Sequence, residues 1–554
     1  MLGSTRSRWR SPTRRWQGGL GTHGYPDVEG VGSSVVGSER VGWWVTFAVA
    51  LFVGTMWALS VPPSGGPDEP AHMVKAAAVA GGDLSTSVQW HDEFPGKVPD
   101  TTVKVRTGYN YGSFWDQVTC WSGIRDQPTS CAPGLPPRTG RPMSTETYVG
   151  TYQPLYYGLV GLPTRFLPPD RGLYAARLIS VAIVAALAAS ALASARSMGA
   201  TTVAATLASF TPAVVFVAST VNPQGPELVA SVTLWASGLL VLGSESPRRR
   251  ELVRIGVSAT VLAAARPTGP VLVVIIAVVL LLVAGDRTRL KALARRRSAK
   301  VVLAATTTVW LASLAHVVVN RSLSAVMRSP QPGGLSRALW DQVAGSIPDL
   351  TADQVGLLSW HGMIALDLIR PLIILWLAMI AVLVVAALWP GTASDGRRQT
   401  VRRQVILVTT VAGWGVLPLA ALIANHEVYW QGRYGLPLGV GIPIMAGWMV
   451  DLRVRSSDRN ANTAWRRFSA IALAGVSVIS ATGLAIAHRQ IISRNLHGQN
   501  GQVLTSLDAS LWNGPLSPAV LVAGALAGSV AIAGYGVATS ARLLRPTATE
   551  TRSD

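Results

Sequence analysis

Val41 to Val61 is an unbroken run of 21 residues without a charge. As a helix rising about 1.5 Å per residue it covers roughly 30 Å, the hydrocarbon thickness of a bilayer. In that solvent every backbone N–H and C=O must be paired within the structure, so a run this long predicts a membrane-spanning helix. Comparable runs recur at about 173–195, 200–220, 224–243, 252–266, 268–284, 301–319, 362–389, 404–424, 435–450, 468–487 and 516–537. The pair at 252–284 is the weakest, because its first member is short and Arg266-Pro267 interrupts it. With 49% hydrophobic and only 14% charged residues, the chain reads as all-α. It is expected to form a polytopic membrane helix bundle of about twelve transmembrane helices, not several soluble domains.

The formal net charge of +20 raises nucleic acid as a partner, but its distribution argues against one. If the N-terminus is cytoplasmic and the spans alternate, the short basic segments all fall on the cytoplasmic side. These are Arg248-Arg249-Arg250, Arg287 to Lys300, Arg397 to Arg403 and Arg453 to Arg467. Most acidic residues fall on the other side. The positive-inside rule accounts for this asymmetry, and no nucleic acid is needed. Residues 1–40 read as a disordered, basic cytoplasmic tail, 41–540 as the polytopic membrane domain, and 541–554 as a second cytoplasmic tail. Acidic residues follow the first span where a small-residue cleavage site would stand, so it reads as an uncleaved anchor.

The longest outward segment is 62–170, an extracytoplasmic first loop expected to carry surface helices. Both cysteines of the chain, Cys120 and Cys131, lie in it. On an oxidising face that spacing suggests a loop disulfide, with two free thiols as the alternative. The loop opens on Pro67-Asp68-Glu69-Pro70-Ala71-His72. If the prolines start a helix, Asp68 and His72 are i,i+4 neighbours and Glu69 and His72 are i,i+3 neighbours. Three titratable groups would then share one turn at the mouth of the membrane domain, where ionisable groups tend to be functional. The plainer reading is that first-turn acids complement the helix dipole. Ala, Met and Val at helical spacing, ending at Gly81-Gly82, predict a short amphipathic helix lying along the membrane surface. Tyr152-Gln153-Pro154-Leu155-Tyr156-Tyr157 leads into an apolar stretch to Leu167, short for a span and suited to a second surface helix or a re-entrant segment.

No Walker A sequence, G-x-S-x-G or HExxH is present, and the two cysteines lack zinc-ribbon spacing. What remains are carboxylates, arginines and aromatics near the membrane boundary. A carboxylate can take a proton from an attacking hydroxyl. An arginine can hold a phosphate through parallel hydrogen bonds. Arg433, beside Gln431 and Tyr434, is the leading phosphate candidate, with Arg177 and Arg266 secondary. Each has an interfacial, anchoring reading as well. Gln153, Tyr156 and Tyr157 suit an acceptor cleft, or merely the interface. Asn222 and Glu227 read as span caps.

These motifs in this order resemble bacterial membrane proteins of the domain-of-unknown-function 2142 family. The resemblance rests on the Pro67–His72 and Tyr152–Tyr157 motifs, Arg177-Leu178-Ile179-Ser180, Asn222-Pro223, Arg266-Pro267 and Gln431-Gly432-Arg433-Tyr434. It spans roughly residues 41 to 450. That family resembles GT-C-type glycosyltransferases, which take a sugar from a polyprenyl-phosphate carrier on the outer face of the membrane. The resemblance implies a bacterial plasma-membrane enzyme with cytoplasmic termini and an extracytoplasmic active site. Its partners would be a polyprenyl-phosphate-linked sugar, the bilayer, and an envelope glycan, lipid or protein acceptor. Asp68 would be the general base, and Glu69 a second acid, metal ligand or acceptor-positioning group. His72 would hydrogen-bond in the substrate site. A divalent cation is left open, since such enzymes differ in needing one and Asp68, Glu69 and His72 are an incomplete shell.

The competing reading is a transporter or flippase for an envelope lipid or polysaccharide precursor. It would favour charges deep within several spans, whereas apart from Arg266 and Asp367 the runs are almost free of charge. A third is a scaffold organising envelope enzymes through its long first loop.

Overall fold

The computed structural model describes residues 32–93, 96–323, 366–390, 396–425, 431–456, 459–498 and 506–544. Most of the two expected tails, and most of the outward loop that alternating spans predict from Asn320 to about Trp360, lie outside them. The chain divides into two compact units, Met1–Gly42 and Trp43–Asp554.

The chain is mostly helical. Among the described residues, eight helical segments are long and apolar enough to cross a membrane. They are Glu39–Ser60, Pro169–Met198, Gln224–Gly243, Arg297–Val319, Pro371–Leu388, Gly432–Arg455, Thr463–His497 and Pro518–Leu544. Twelve spans were expected from the whole chain, and the remaining runs differ in form from these eight. The run at 200–220 is two helices, Ala200–Ala208 and Pro212–Ala218, bent by 65°. Pro212 cannot continue a helix from before it, and Thr211 caps the second piece by accepting from the Val214 N–H. The runs at 252–266 and 268–284 are Arg249–Ala265 and Gly269–Ala284, only 17 and 16 residues long. The run at 404–424 lies within the helix Arg397–Asn425.

Between the helices α1 (Gly32–Ser60) and α5 (Pro169–Met198) the chain builds more than surface helices. Strands β1 (Val88–Glu93), β2 (Gly96–Arg106) and β3 (Pro142–Thr147) form an antiparallel sheet in the order β1-β2-β3. This corrects the all-α expectation. The cause is visible in β2, where Thr101, Val103 and Val105 are buried and Thr102, Lys104 and Arg106 exposed. That is the period of two that seats one face of a strand on a core. The helix α2 (Glu69–Gly81) also departs from expectation. Its residues Glu69 to Ala78 are all buried, so it is no amphipathic surface helix. It packs against α4 (Pro154–Val160), β2, β3 and the 3-10 turn Leu162–Arg165. Met73, Val74 and Ala76 share a core with Val103, Val105, Tyr156 and Tyr157. A Cβ on Gly161 would lie 2.1 Å from the Ala76 carbonyl oxygen, so only glycine allows this approach. Cys120 and Cys131 form a disulfide that ties the helix α3 (Tyr111–Thr119) to the turn Thr129–Cys131.

The helix Gln224–Gly243 is buried along nearly its whole length. Its Trp235 donates through Nε1 to the Pro437 carbonyl at 3.1 Å. That contact fastens the start of the Gly432–Arg455 segment to the centre of the bundle.

Candidate functional site

The loop from Val61 to Asp68 leaves α1 and turns back sharply. Ser64 and Asp68 both take left-handed backbone conformations, at φ 62° and 57°. Gly66 presses on the Ala218–Asn222 turn, where an added Cβ would lie 2.5 Å from Thr220 Cγ2. The loop is therefore moulded onto the bundle. Asn222 Nδ2 donates to the Pro67 carbonyl at 2.8 Å, and the Val221 N–H donates to Glu69 Oε1 at 3.0 Å.

Asp68 occupies the N-cap position of α2, yet its side chain does not cap that helix. Oδ2 accepts from Arg433 Nη2 at 3.0 Å, and Oδ1 from the Tyr148 hydroxyl at 3.0 Å. The Asp68 side chain is 25% exposed and that of Arg433 only 4%. A carboxylate at an N-cap that declines the helix N–H groups, on a left-handed residue other than glycine, points to a role besides folding. Burial alone would raise its pKa. The Arg433 charge and the hydrogen bonds from Tyr148 and Arg433 outweigh this and hold it below the ordinary carboxylate value.

Glu69, the next residue, is enclosed completely, as is Arg177. Arg177 Nε and Nη2 meet the two Glu69 oxygens at 2.8 and 2.5 Å. Its remaining N–H groups donate to the carbonyls of Ala58, Val61 and Pro62 at 2.6 to 2.9 Å. All five guanidinium donors are thereby used. The pair closes the C-terminal end of α1, where carbonyls otherwise lack partners.

His72 Nδ1 lies 2.8 Å from the Tyr157 hydroxyl, with the two rings stacked at 5.9 Å. Burial pushes its pKa down to about 3; Asp68 opposes this, while Arg266 and Arg433 reinforce it. Asp68, Glu69 and His72 thus engage three different partners, and they do not converge as a ligand set. Tyr156 is buried against Ser180 Oγ at 3.2 Å.

On the far side stand Arg266 and Tyr434. Arg266 donates to Glu227 Oε2 at 3.1 Å, and Gln153 Nε2 donates to the Arg266 carbonyl at 3.0 Å. The Tyr434 ring carries the guanidinium carbons of Arg266 and Arg433 at 5.0 and 5.6 Å from its centroid. Two cations therefore share one aromatic ring, with Asp68 and Glu227 as their carboxylate neighbours. Gln224 Nε2 reaches the Arg433 carbonyl at 3.4 Å, so the Val221–Gln224 turn bonds to Arg433 and to both chain neighbours of Asp68, Pro67 and Glu69.

The arrangement draws together Asp68, His72, Gln153, Tyr157, Arg266, Arg433 and Tyr434, and sets Glu69 with Arg177 beneath them. The sequence argument passed over Tyr148 and Gln224, and it gave Asn222 and Glu227 capping roles only. Tyr148 leaves a strand whose alternation is short, and nothing in the sequence pairs it with Asp68. Lys75 was also missed. Buried on α2, it donates to the Gly150 carbonyl at 2.6 Å, and burial lowers its pKa to about 8.

Residues 51–442 match the family described as predicted membrane protein (DUF2142), a stretch that contains every residue of this cluster. The chain belongs to the DUF2142 family. It is thus a multi-pass membrane protein, and the matched stretch takes in the sheet-bearing insertion but ends before the candidate spans Thr463–His497 and Pro518–Leu544. None of the curated proteins matches this DUF2142 member. Among solved structures it is similar to ArnT from Cupriavidus metallidurans bound to undecaprenyl phosphate. The identity there is 14% over 90% of this chain and 78% of that one, with a TM-score of 0.38. ArnT from the same organism in the apo state gives 16% identity, the same coverage and a TM-score of 0.39.

Proposed function

We propose that this protein is a membrane glycosyltransferase that moves a sugar from a polyprenyl-phosphate donor to a hydroxyl of a cell-envelope acceptor on the extracytoplasmic face. The observation that carries the proposal is the Asp68–Arg433 pair. It joins the end of the first span to the start of a late one, leaves Asp68 partly open, and keeps Arg433 beside Arg266 and Tyr434.

The chemistry follows from charge. The donor phosphate binds Arg433 and Arg266 through charge-assisted hydrogen bonds and competes with Asp68 for Arg433. Once the phosphate neutralises that cation, the Asp68 carboxylate loses the strongest of the influences that depress its pKa and becomes a stronger base. The acceptor oxygen attacks the anomeric carbon as its proton passes to Asp68. The bond from that carbon to the phosphate oxygen breaks, and the arginines hold the charge left on the polyprenyl phosphate. Attack opposite the leaving group inverts the anomeric centre. In this reading the Glu69–Arg177 pair positions the Asp68 loop and does not touch substrate, unlike the catalytic and binding roles expected for the two from sequence. His72 and Tyr157 line the site, and Tyr148 orients the Asp68 carboxylate.

The test is envelope glycan composition in cells lacking the protein, complemented with wild type or Asp68→Asn. The variant is expected to reach the membrane in equal amount and fail to restore the missing sugar. Full restoration by Asp68→Asn would remove Asp68 from the reaction and the proposal with it.

A further inference from the structure

The three-stranded sheet carries a second cluster of ionisable groups, away from the Asp68 loop. His91 on β1 pairs with Val98 on β2, and Thr102 on β2 pairs with Glu146 on β3. Val98, Asp100 and Thr102 alternate along β2, so His91, Asp100 and Glu146 all point to the same face. It is the face opposite the one that buries Thr101, Val103 and Val105. His91 and Glu146 are exposed and Asp100 is half-buried, and one donor atom from each lies within 4.8 Å of the others. We propose that these three side chains form a binding site for a divalent transition-metal ion, of which zinc is the representative.

The ligand set favours that class. An imidazole nitrogen suits zinc and its neighbours, whereas calcium and magnesium prefer a shell made wholly of oxygen. Two carboxylates match the double charge of the ion. In a tetrahedral shell two ligands each about 2.1 Å from the metal stand about 3.4 Å apart, so closure draws the donor atoms together by up to about 1.4 Å, a shift that rotation of side chains at the surface supplies. Three protein ligands leave the rest of the shell to water.

The ion would act as a staple. Beyond Glu146 the same strand supplies Thr147, whose Oγ1 donates to the Ala71 carbonyl on α2, and then Tyr148, which holds Asp68. Fixing β3 to β1 and β2 fixes the strand that orients the Asp68 carboxylate. Metal binding itself does not depend on the transfer reaction proposed above.

Full-length protein in detergent, with any affinity tag removed and metals stripped by a chelator, is titrated with zinc chloride by isothermal calorimetry. The expected result is one saturable equivalent for wild type, absent in His91→Gln and in Glu146→Gln, with no such event when magnesium replaces zinc. Zinc should raise the melting temperature of wild type alone, while the metal-free melting temperatures of all three agree. No saturable event in wild type, or the same event in both variants, overturns the proposal.

Discussion

Asp68 and Arg433, 365 residues apart in the chain, meet through Oδ2 and Nη2 at 3.0 Å. One residue along, Glu69 and Arg177 make a second carboxylate–guanidinium pair with no exposed surface. Neighbouring carboxylates have thus been given opposite environments: one partly open, on a left-handed backbone, the other sealed with every donor around it satisfied. That asymmetry leaves Asp68 accessible and builds Glu69 into the frame.

Asp68→Asn should cost transfer activity about 100-fold to 10,000-fold, the range expected when a general base is lost. The amide still accepts from Tyr148 or Arg433, and the position is 25% exposed, so the fold should survive. Activity per molecule of membrane-inserted protein, compared at matched expression, is the measurement. Equal activity would contradict the assignment.

Glu69→Gln should behave in the opposite way. It leaves the Arg177 charge buried and opposed only by the carbonyls of Ala58, Val61 and Pro62. Breaking a buried pair from one side costs about 3 to 5 kcal/mol. The expected outcome is a large drop in melting temperature and in membrane yield, with residual activity in proportion to the folded fraction. A folded Glu69→Gln protein with normal stability would show that the pair is not structural.

Arg433→Lys keeps the charge but loses the planar fork that fits a phosphate. Donor affinity should fall by about tenfold, equivalent to about 1.4 kcal/mol, with the acceptor KM unchanged. Competition by free polyprenyl phosphate against the labelled donor reads the effect directly. An equal loss for both substrates would place Arg433 outside the phosphate site.

How much of this was legible in the sequence follows from the range of the interactions involved. Charges at the ends of apolar runs stand out in any linear reading, so Asp68, Arg177, Arg266 and Arg433 could be singled out. Their pairing could not. Glu69 finds Arg177 across 108 residues, and Asp68 finds Arg433 across 365. Only packing of the spans decides which acid meets which base. The sheet was missed because β1 and β3 are six residues each and β2 contains Pro99, so the alternation over 101–106 is brief and sits among polar residues. The helix after Asp68 was placed correctly but judged exposed. Its composition is apolar enough to be buried on all sides, and no property of α2 alone reveals that β2, β3 and α4 close over it.

His72 makes stability depend on pH between about 3 and 6.5. Its pKa is about 3 in the folded protein against an ordinary 6.5, because burial disfavours the charged ring. Between those values the unfolded chain binds a proton that the folded chain does not, so stability falls as pH falls from about 6.5 toward 3 and is unaffected by this group above 6.5. Asp68 acts in the same direction, since its pKa is also depressed, but only below its ordinary value of 3.8. Lys75, lowered from 10.5 to about 8, acts only at alkaline pH. From pH 4 to 6.5 neither Asp68 nor Lys75 contributes, and comparing wild type with a His72 variant reads His72. His72→Gln, which cannot titrate and retains a hydrogen-bonding group for Tyr157, should flatten the fall in melting temperature across that interval. If wild type and variant decline in parallel from pH 6.5 to 4, His72 is protonated in the folded state, and the neutral ring packed against Tyr157 is the wrong description.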